Sequence, residues 1–443
     1  MITDNRSDHG NPITRLVRKA TKVEPHELTA TLLSFIFVLV LMAAYFIMRP
    51  VRDAMASDWS DVEVSLLWTM TFVLSLLAVS LYGAAISFVK FRYLVPGVYA
   101  FFASSFFLLY TGSTYISDPV LIDKSFYVWL SVFSLFHLSV FWSFMSDLFN
   151  KEQAPRLFGF IATGSSVGAI IGPMLTALLV QKIGTEKLML VSATLLLIPI
   201  PIIFVLERLK TSALGNQDVG AELSAQQAIG RNPLAGFSLF LSSPYLIGIG
   251  CFIVLYVSIS SFVYFELKNL LEVFTREERT QIWAAIDFAV NSLAILTAMF
   301  LTSRIATRFG MATTLALVPF LIVLGMLVIA VSPVIAVVAS LQVARRAGNY
   351  AITRPGREML FTVVDRETRF KAKPVIDIVL YRGGDMVTAW AFTLLTTVAG
   401  LGLGAVAAVG ALIAAVWGMV GIFLGRSYKR IAMAASVANS ELT

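Results

Sequence analysis

Residues 43–56 read A-A-Y-F-I-M-R-P-V-R-D-A-M-A, and Arg49, Arg52 and Asp53 end a run of more than fifteen apolar or small residues. A helix needs roughly 20 such residues to cross the hydrocarbon core of a bilayer, so the run predicts a membrane-spanning helix. An ionisable side chain at the bilayer centre costs about 2.5–3.5 kcal/mol. The three charges therefore mark either a polar cavity inside a helix bundle or the end of the helix at the water interface.

The composition of the whole chain extends this interpretation. Its 443 residues are 58% hydrophobic and 14% charged, whereas a soluble protein is about 25% charged. The apolar residues form continuous blocks, which predicts an all-α integral membrane protein rather than a barrel. The one cysteine, Cys251, lies in an apolar block and excludes a disulfide framework. The net charge of +7 is typical of basic loops beside a lipid bilayer and does not require nucleic acid.

Twelve apolar segments are long enough to be transmembrane helices. They centre near Leu39, Leu74, Phe102, Phe136, Ile170, Leu196, Val254, Leu293, Ile322, Val338, Val387 and Ala414. Lys and Arg concentrate in alternate loops, which predicts an inner-membrane protein with both termini cytoplasmic. The polar N-terminal segment lacks the apolar core of a cleavable signal peptide.

A polar gap near the middle divides the chain into two halves. We expect an N-terminal tail (1–30), a six-helix half (31–206), a cytoplasmic linker (207–238), a second six-helix half (239–425) and a C-terminal tail (426–443). Residues 150–156 resemble residues 365–371, and Lys90-Phe91 resembles Arg308-Phe309, at offsets of 215 and 218 residues. Two such repeats around a central pathway resemble the arrangement of major facilitator transporters.

The first candidate site lies on span 1. Arg49, Arg52 and Asp53 share one helical face because they are three and four residues apart. Pro50 predicts a kink there. In a cavity the two guanidinium groups would hold an anionic substrate, and Asp53 would pair with either arginine when the substrate is absent. The alternative is a helix end at which the arginine side chains reach the interface.

Further ionisable residues lie in later spans. Glu266 in span 7 and Arg346 in span 10 complete the predicted substrate-binding set. We predict four residues for coupling or ion pairing. Asp287 lies in span 8, and Asp377, Arg382 and Asp385 lie in span 11. In span 11 they indicate either a proton or charge relay or a structural ion pair. Asp287 lies four residues before Asn291, which indicates a coupling-ion site or, alternatively, an interhelical hydrogen bond.

Small residues on span 5 predict close helix packing. Gly164, Gly168 and Gly172 are spaced by four and are followed by Pro173, a stripe that lets two helices approach. The sequence contains no P-loop, no zinc motif and no nucleophile elbow, so we expect no cofactor and no metal. A membrane-embedded enzyme stays as an alternative to a transporter.

Several segments resemble the ATP/ADP translocase family of nucleotide exchange transporters. The first is Y-F-I-M-R-P-V-R-D at 45–53. Others are V-F-W-S-F-M-S-D-L-F at 140–149, R-L-F-G-F-I-A-T-G-S-S-V-G-A at 156–169 and S-S-P-Y-L-I-G-I at 242–249. The longest, A-I-T-R-P-G-R-E-M-L-F-T-V-V-D-R-E-T-R-F-K-A-K-P-V-I-D, occupies 351–377. The resemblance implies a twelve-helix fold and gives Arg52 the position of a basic residue that takes part in nucleotide exchange.

The chain departs from the family pattern at three places. The family has a glutamate in span 4, but that position falls near Leu130 and carries no acid here. In span 7 the nearest acid, Glu266, is slightly displaced from the family's glutamate. In span 11 the family's lysine position falls near Asp385, which reverses the charge. The expected function is therefore alternating-access transport of a small anionic solute, with nucleotide exchange or uptake first. The alternative is proton-coupled transport of another organic solute. We expect the protein to act as a monomer.

Overall fold

The computed structural model describes residues 23–89, 91–116, 118–150, 152–216, 235–300, 302–365, 368, 372–373 and 375–440. Most of the predicted N-terminal tail (1–22) and of the linker (217–234) lies outside these residues. In the first half, the helices are α1 (Leu28–Met55), α2 (Asp61–Phe88), α3 (Phe91–Tyr115) and α4 (Pro119–Leu148). The stretch Ala154–Leu195 contains α5 (154–183) and the start of α6, which continues through Pro199–Ser212.

The second half follows a short helix at Ala235–Ser242. It contains α7 (Pro244–Leu270), α8 (Arg276–Phe300), α9 (Thr302–Val331) and α12 (Leu403–Ser440). Two helices are composite. Helix α10 consists of Ile335–Gly348, a π-helical turn at Asn349–Thr353 and a last segment at Arg354–Leu360. Helix α11 consists of a π-helical turn at Val375–Leu380, the α-helical segment Tyr381–Thr393 and a second π-helical turn at Leu394–Val398.

These helices confirm the predicted fold class. In the described chain, nine helical stretches are long and apolar enough to cross a membrane. One of them, Ala154–Ser212, holds two spans because Gly184 breaks it, and the composite helices α10 and α11 complete the twelve. The break at Gly184 has φ 78°, and Gly400, 216 residues later, has φ 64° between α11 and α12. A left-handed residue at the same place in both halves agrees with the predicted repeat.

Local signals set where several helices begin. Ser60 caps α2 by accepting a hydrogen bond from the Glu63 amide, and the Glu63 carboxylate accepts one from the Ser60 amide. Asp118 and Ser243 cap α4 and α7, and each is followed by a proline, which suits the first helical position. Helix α1 continues through Pro50 to Met55, so the charged residues of the opening segment stay on a helix.

The glycine stripe packs α5 directly against α1. A Cβ atom at Gly164 would lie 2.6 Å from the carbonyl oxygen of Phe35, and one at Gly172 would lie 2.7 Å from that of Ala43. At Gly168 the added atom would overlap the carbonyl oxygen of Leu39. Only glycine permits this approach, so the two helices form one unit inside the first half.

Ion pairs close the molecule on the side opposite the chain termini. Arg276 at the start of α8 contacts Asp58 and Asp123 of the first half at 2.7 and 2.8 Å. Arg279 contacts Asp58 at 2.5 Å, and Lys268 of α7 contacts Asp61 at 2.8 Å. We call these contacts the ionic lock. On the terminal side, the described pairs Lys210–Asp147, Arg156–Glu27 and Lys373–Glu358 each stay within one half.

Replacing Gly168 by valine is expected to separate α1 from α5, because the branched side chain meets the Leu39 backbone. Overpacking of this kind costs about 3 kcal/mol at its upper range. The thermal unfolding temperature in detergent should fall clearly. Gly159→Val on the same helix is the control, because an added Cβ atom there has no neighbour within 4 Å. Equal unfolding temperatures for the two variants would contradict the packing assignment.

Removing the ionic lock is expected to open the side opposite the termini. Asp58→Asn weakens the contacts with both Arg276 and Arg279. The ratio of open to closed molecules should therefore rise about tenfold. Electron spin resonance distances between labels at Val120→Cys and Val273→Cys, on a Cys251→Ser background, measure the shift.

The control for the lock is Glu63→Gln. Glu63 pairs with Lys124 at 2.7 Å on the same side, but both residues belong to the first half. The distance distribution should therefore match that of the unchanged protein. The same shift in both variants would mean that any charge loss on this side opens the molecule.

Candidate functional site

A central cavity of about 260 Å³ lies between the two halves. Residues of α1, α2 and α4 line it from the first half, and residues of α7, α10 and α11 line it from the second. Its wall combines arginines, aspartates and tyrosines. These are Arg49, Arg52, Arg345, Arg346 and Arg382; Asp53 and Asp385; and Tyr45, Tyr127, Tyr256, Tyr264, Tyr350 and Tyr381.

The charged segment of α1 lines this cavity. Asp53 accepts hydrogen bonds from Arg52 Nε and Nη2 at 2.9 and 2.5 Å, and its second oxygen lies 3.7 Å from Arg49 Nε. Arg52 Nη1 also donates to Ser131 Oγ of α4 at 3.3 Å. The sequence left two locations open for this segment, a polar cavity and a helix end at the water interface. The structure has both arginines in the cavity lining, and Asp53 contacts each of them.

Asp287 of α8 joins two of the arginines from behind the cavity wall. Its carboxylate lies 2.5 Å from Arg346 of α10 and 3.8 Å from Arg49 of α1. The carboxylate is buried. Asn291, four residues later on α8, donates to the backbone carbonyl of Ala169 on α5 at 3.0 Å. This is an interhelical hydrogen bond, which was the alternative to a coupling-ion site. Asp287 thus connects the two halves through a guanidinium of each.

Arg345 differs from the other arginines of the cavity. Its Nε and Nη2 atoms donate to the amide oxygen of Gln342 at 3.3 and 2.7 Å, and its guanidinium lies 5.9 Å from the centre of the Tyr256 ring. The residue is 2% exposed. Within the described chain no carboxylate lies in ion-pair distance of it. The sequence prediction assigned Arg346 to the site and did not assign Arg345, although both end the same apolar segment.

The second predicted cluster is divided between two places. Arg382 and Asp385 of α11 both line the cavity and lie 3.7 Å apart, and Arg382 Nη2 donates to Ser134 Oγ of α4 at 3.1 Å. Asp377 does not line the cavity. It pairs instead with Arg357 of α10 at 3.4 Å, toward the terminal side.

Glu266, predicted in the substrate-binding set, also lies outside the cavity lining. It is fully buried on α7, and neither of its carboxylate oxygens has a hydrogen-bond partner in the described residues. The hydropathy of α7 gives no indication of which face is inward, because the helix is apolar on most sides. The structure places the neighbouring Tyr264 at the cavity.

Two tyrosines close the cavity toward the ionic lock. The hydroxyls of Tyr127 on α4 and Tyr264 on α7 are 3.0 Å apart, and Trp68 Nε1 of α2 donates to Tyr127 at 2.7 Å. Arg52 lies over the Tyr127 ring at 5.6 Å. The sequence analysis missed these tyrosines, since a single tyrosine in an apolar span looks like a packing residue.

Two other features of the described chain do not form comparable sites. An apolar crevice of about 710 Å³ lies between α2, α3 and α4, and its charged residues, Glu63 and Lys124, pair with each other. Near the start of α1, Glu24, His26 and Glu27 lie close enough to share a metal ion, but Arg156 already contacts the two carboxylates at 3.6 and 2.9 Å. We therefore take the central cavity as the candidate site.

Comparison with known proteins agrees with this architecture. Residues 20–353 match the model of the Major Facilitator Superfamily. Among solved structures, the chain resembles a bacterial homologue of the human lysosomal transporter Spinster, in an inward-facing and unoccupied conformation. The TM-score is 0.57 at 13% identity, over 92% of this chain and 99% of the other. It also resembles the nucleoside transporter NupG, with a TM-score of 0.61 at 12% identity, over 90% and 99%. No curated protein sequence matches the chain.

Proposed function

Because the chain belongs to the Major Facilitator Superfamily, and is therefore a multi-pass membrane transporter rather than an enzyme, we propose that it carries a small organic anion. The substrate binds in the central cavity, between the two halves. Alternating access follows from the rocking of one half against the other. The ionic lock then opens when the terminal side closes.

The unpaired charge of Arg345 carries the proposal of an anionic substrate. Five arginines line the cavity, whereas the carboxylates that contact them are Asp53, Asp287 and Asp385. A buried guanidinium without a carboxylate is costly, because its lost hydration is only partly replaced by an amide oxygen. An anion bound beside Arg345 supplies the missing partner in a dry, low-dielectric site.

The aromatic wall supports a substrate that also carries a planar ring. Tyr45, Tyr256 and Tyr381 line the cavity beside the arginines, and Trp68 lies at the closed end. Phosphate groups against guanidinium and a base against tyrosine describe a nucleotide, which the resemblance of residues 45–53 and 351–377 to nucleotide exchangers also favours. Arg49, Arg52 and Arg346 are proposed to bind the anionic groups, and Asp53 to release them on binding.

A second candidate is proton-coupled transport of a smaller organic anion. The cavity volume of about 260 Å³ lies below the ~300 Å³ lower end of ligand pockets, so a nucleotide requires the halves to separate further. Asp385, where nucleotide exchangers have a lysine, faces the cavity beside Arg382. We propose this pair for coupling, with Asp287 as the link between the halves. Asp377 would then act through the terminal-side pair with Arg357.

We propose an orientation and an oligomeric state on sequence grounds. Basic residues concentrate on the side of the termini, including Arg426, Lys429 and Arg430 after the last span. This bias favours cytoplasmic termini in an inner membrane. One chain supplies a complete cavity, so a monomer suffices for transport.

Arg345 gives the sharpest test of the anionic class. Thermal unfolding of the purified protein is measured with ADP, AMP, citrate and adenosine at equal concentrations. An anion that binds should raise the unfolding temperature, and neutral adenosine should not. In Arg345→Gln the affinity should fall about tenfold or more, because one charge-assisted hydrogen bond is lost.

The control for this test is Arg208→Gln, an exposed arginine on α6 outside the cavity. It removes one positive charge and should leave the ligand affinity unchanged. Stabilisation by adenosine equal to that by AMP would contradict an anionic site. Unchanged affinity in Arg345→Gln would mean that the other cavity arginines, and not Arg345, bind the anion.

Uptake into proteoliposomes separates exchange from proton coupling. For an exchanger, labelled ATP enters vesicles preloaded with ADP, stays outside empty ones, and fails to enter with Arg52→Ala. For a proton-coupled transporter, a pH gradient stimulates uptake of an organic anion without internal ADP, and Asp385→Asn abolishes the stimulation. No ATP uptake from folded protein under either condition would exclude the nucleotide.

A further inference from the structure

Helix α12 presents an apolar strip that ends in arginines on the outer surface of the second half. Leu412, Val416, Met419 and Phe423 are exposed along one face of the helix, and Phe423 is 53% exposed. The spacing of three and four residues continues to Arg426 and Arg430, which are also exposed. Lys429 lies beside them. In a membrane protein this strip faces lipid, and the arginines lie at the level where the acyl chains end.

The strip matches one leaflet of a bilayer in length. Val416 and Arg426 are ten residues apart, which is about 15 Å along a helix. Half of the ~30 Å hydrocarbon core is the same distance. An acyl chain laid along the strip therefore brings its headgroup to Arg426 and Arg430.

Grooves flank the strip and give an acyl chain walls to pack against. Met419, Ile422, Phe423 and Met433 line one groove together with the basic residues. On one side Phe320 and Leu321 of α9 continue it, and on the other Pro244 and Tyr245 of α7 meet Phe423. The residues of the first groove all belong to α12, and the two flanking grooves, which include Arg426 and Arg430 respectively, add walls from α9 and α7.

The basic residues have no carboxylate partner in the described chain. Residues 403–440 contain neither Asp nor Glu, and Arg430 Nη2 donates to Ser427 Oγ at 3.2 Å. Among the terminal-side carboxylates of this half, Glu358 and Asp377 pair with Lys373 and Arg357, and Asp365 accepts a hydrogen bond from the Thr368 amide at 2.8 Å. Three cations beside an apolar groove complement a ligand with an apolar tail and an anionic head.

We propose that this groove on α12 binds one anionic phospholipid, with its phosphate between Arg426 and Arg430 and an acyl chain along Met419 and Phe423. The site is independent of the proposed transport function. A free phosphate offers the same anionic group, but the apolar groove gives no contact for it. The choice between the two sources is part of the test.

The test is a native mass spectrometry titration of the purified full chain with phosphatidylglycerol, phosphatidylcholine and inorganic phosphate. Phosphatidylglycerol should bind more tightly than phosphatidylcholine, and millimolar inorganic phosphate should not displace it. The double variant Arg426→Gln/Arg430→Gln should bind phosphatidylglycerol at least tenfold more weakly, since each basic residue near a headgroup contributes about a fivefold factor. Met419→Trp fills the groove without a charge change and should also weaken binding.

The matched control is Arg92→Gln/Arg208→Gln. Both arginines are exposed on the terminal side of the first half, and the variant has the same net charge as the test variant. Its phosphatidylglycerol affinity should equal that of the unchanged protein. The proposal is overturned by equal affinity in the test variant, by an equal loss in the control, or by equal binding of phosphatidylcholine. Displacement by inorganic phosphate would overturn the lipid source.

Discussion

The pairing of buried guanidinium groups is the constraint on which the centre of this protein depends. Each arginine in the membrane interior costs several kcal/mol unless it has an acceptor, so the carboxylates fix where the arginines lie. Asp53 holds Arg49 and Arg52 on α1, and Asp287 holds Arg346 on α10. The helices that carry these residues cannot slide independently without leaving a charge unpaired.

This pairing also links the two halves. Asp287 contacts Arg346 within the second half at 2.5 Å and Arg49 of the first half at 3.8 Å. The longer contact is the weaker one, so it is the one that separates when the halves rock. Within the first half, the glycine stripe keeps α1 on α5 through backbone contacts, so Arg49 moves with the whole half.

The sequence predicted the number and order of the helices because each span carries its own hydropathy signal. For Arg49 and Arg52 the sequence left a cavity position and an interface position open, and the structure has both residues in the cavity lining. The sequence-based prediction failed where orientation depends on neighbours. Arg345 lies next to Arg346 on α10, and the sequence does not show which of the two guanidinium groups has a carboxylate partner. Tyr127, Tyr256 and Tyr264 lie on helices that are apolar on most sides, so periodicity does not identify their inward face.

Helix α11 shows a second reason for the difference. Asp377 and Asp385 would be two turns apart on a regular α-helix and would share a face, but Asp377 lies within the π-helical turn Val375–Leu380, which precedes Asp385. A π turn adds a residue to the helical repeat and rotates the residues before it relative to those after it. Asp377 therefore turns to Arg357, while Asp385 faces the cavity with Arg382.

The ion pairs that involve both halves lie at two levels along the membrane normal, the ionic lock and the central cavity. The ionic lock joins the halves through Arg276, Arg279 and Lys268; the Arg276 pairs are partly exposed, whereas Arg279 and Lys268 are buried. The central carboxylates Asp53 and Asp287 are also buried, so both levels contain ion pairs that are shielded from water. Under the proposed function, an anion bound beside Arg345 changes the charge balance of the central pairs. Under the same proposal the lock then opens, and a small ligand thereby biases the position of the two six-helix halves.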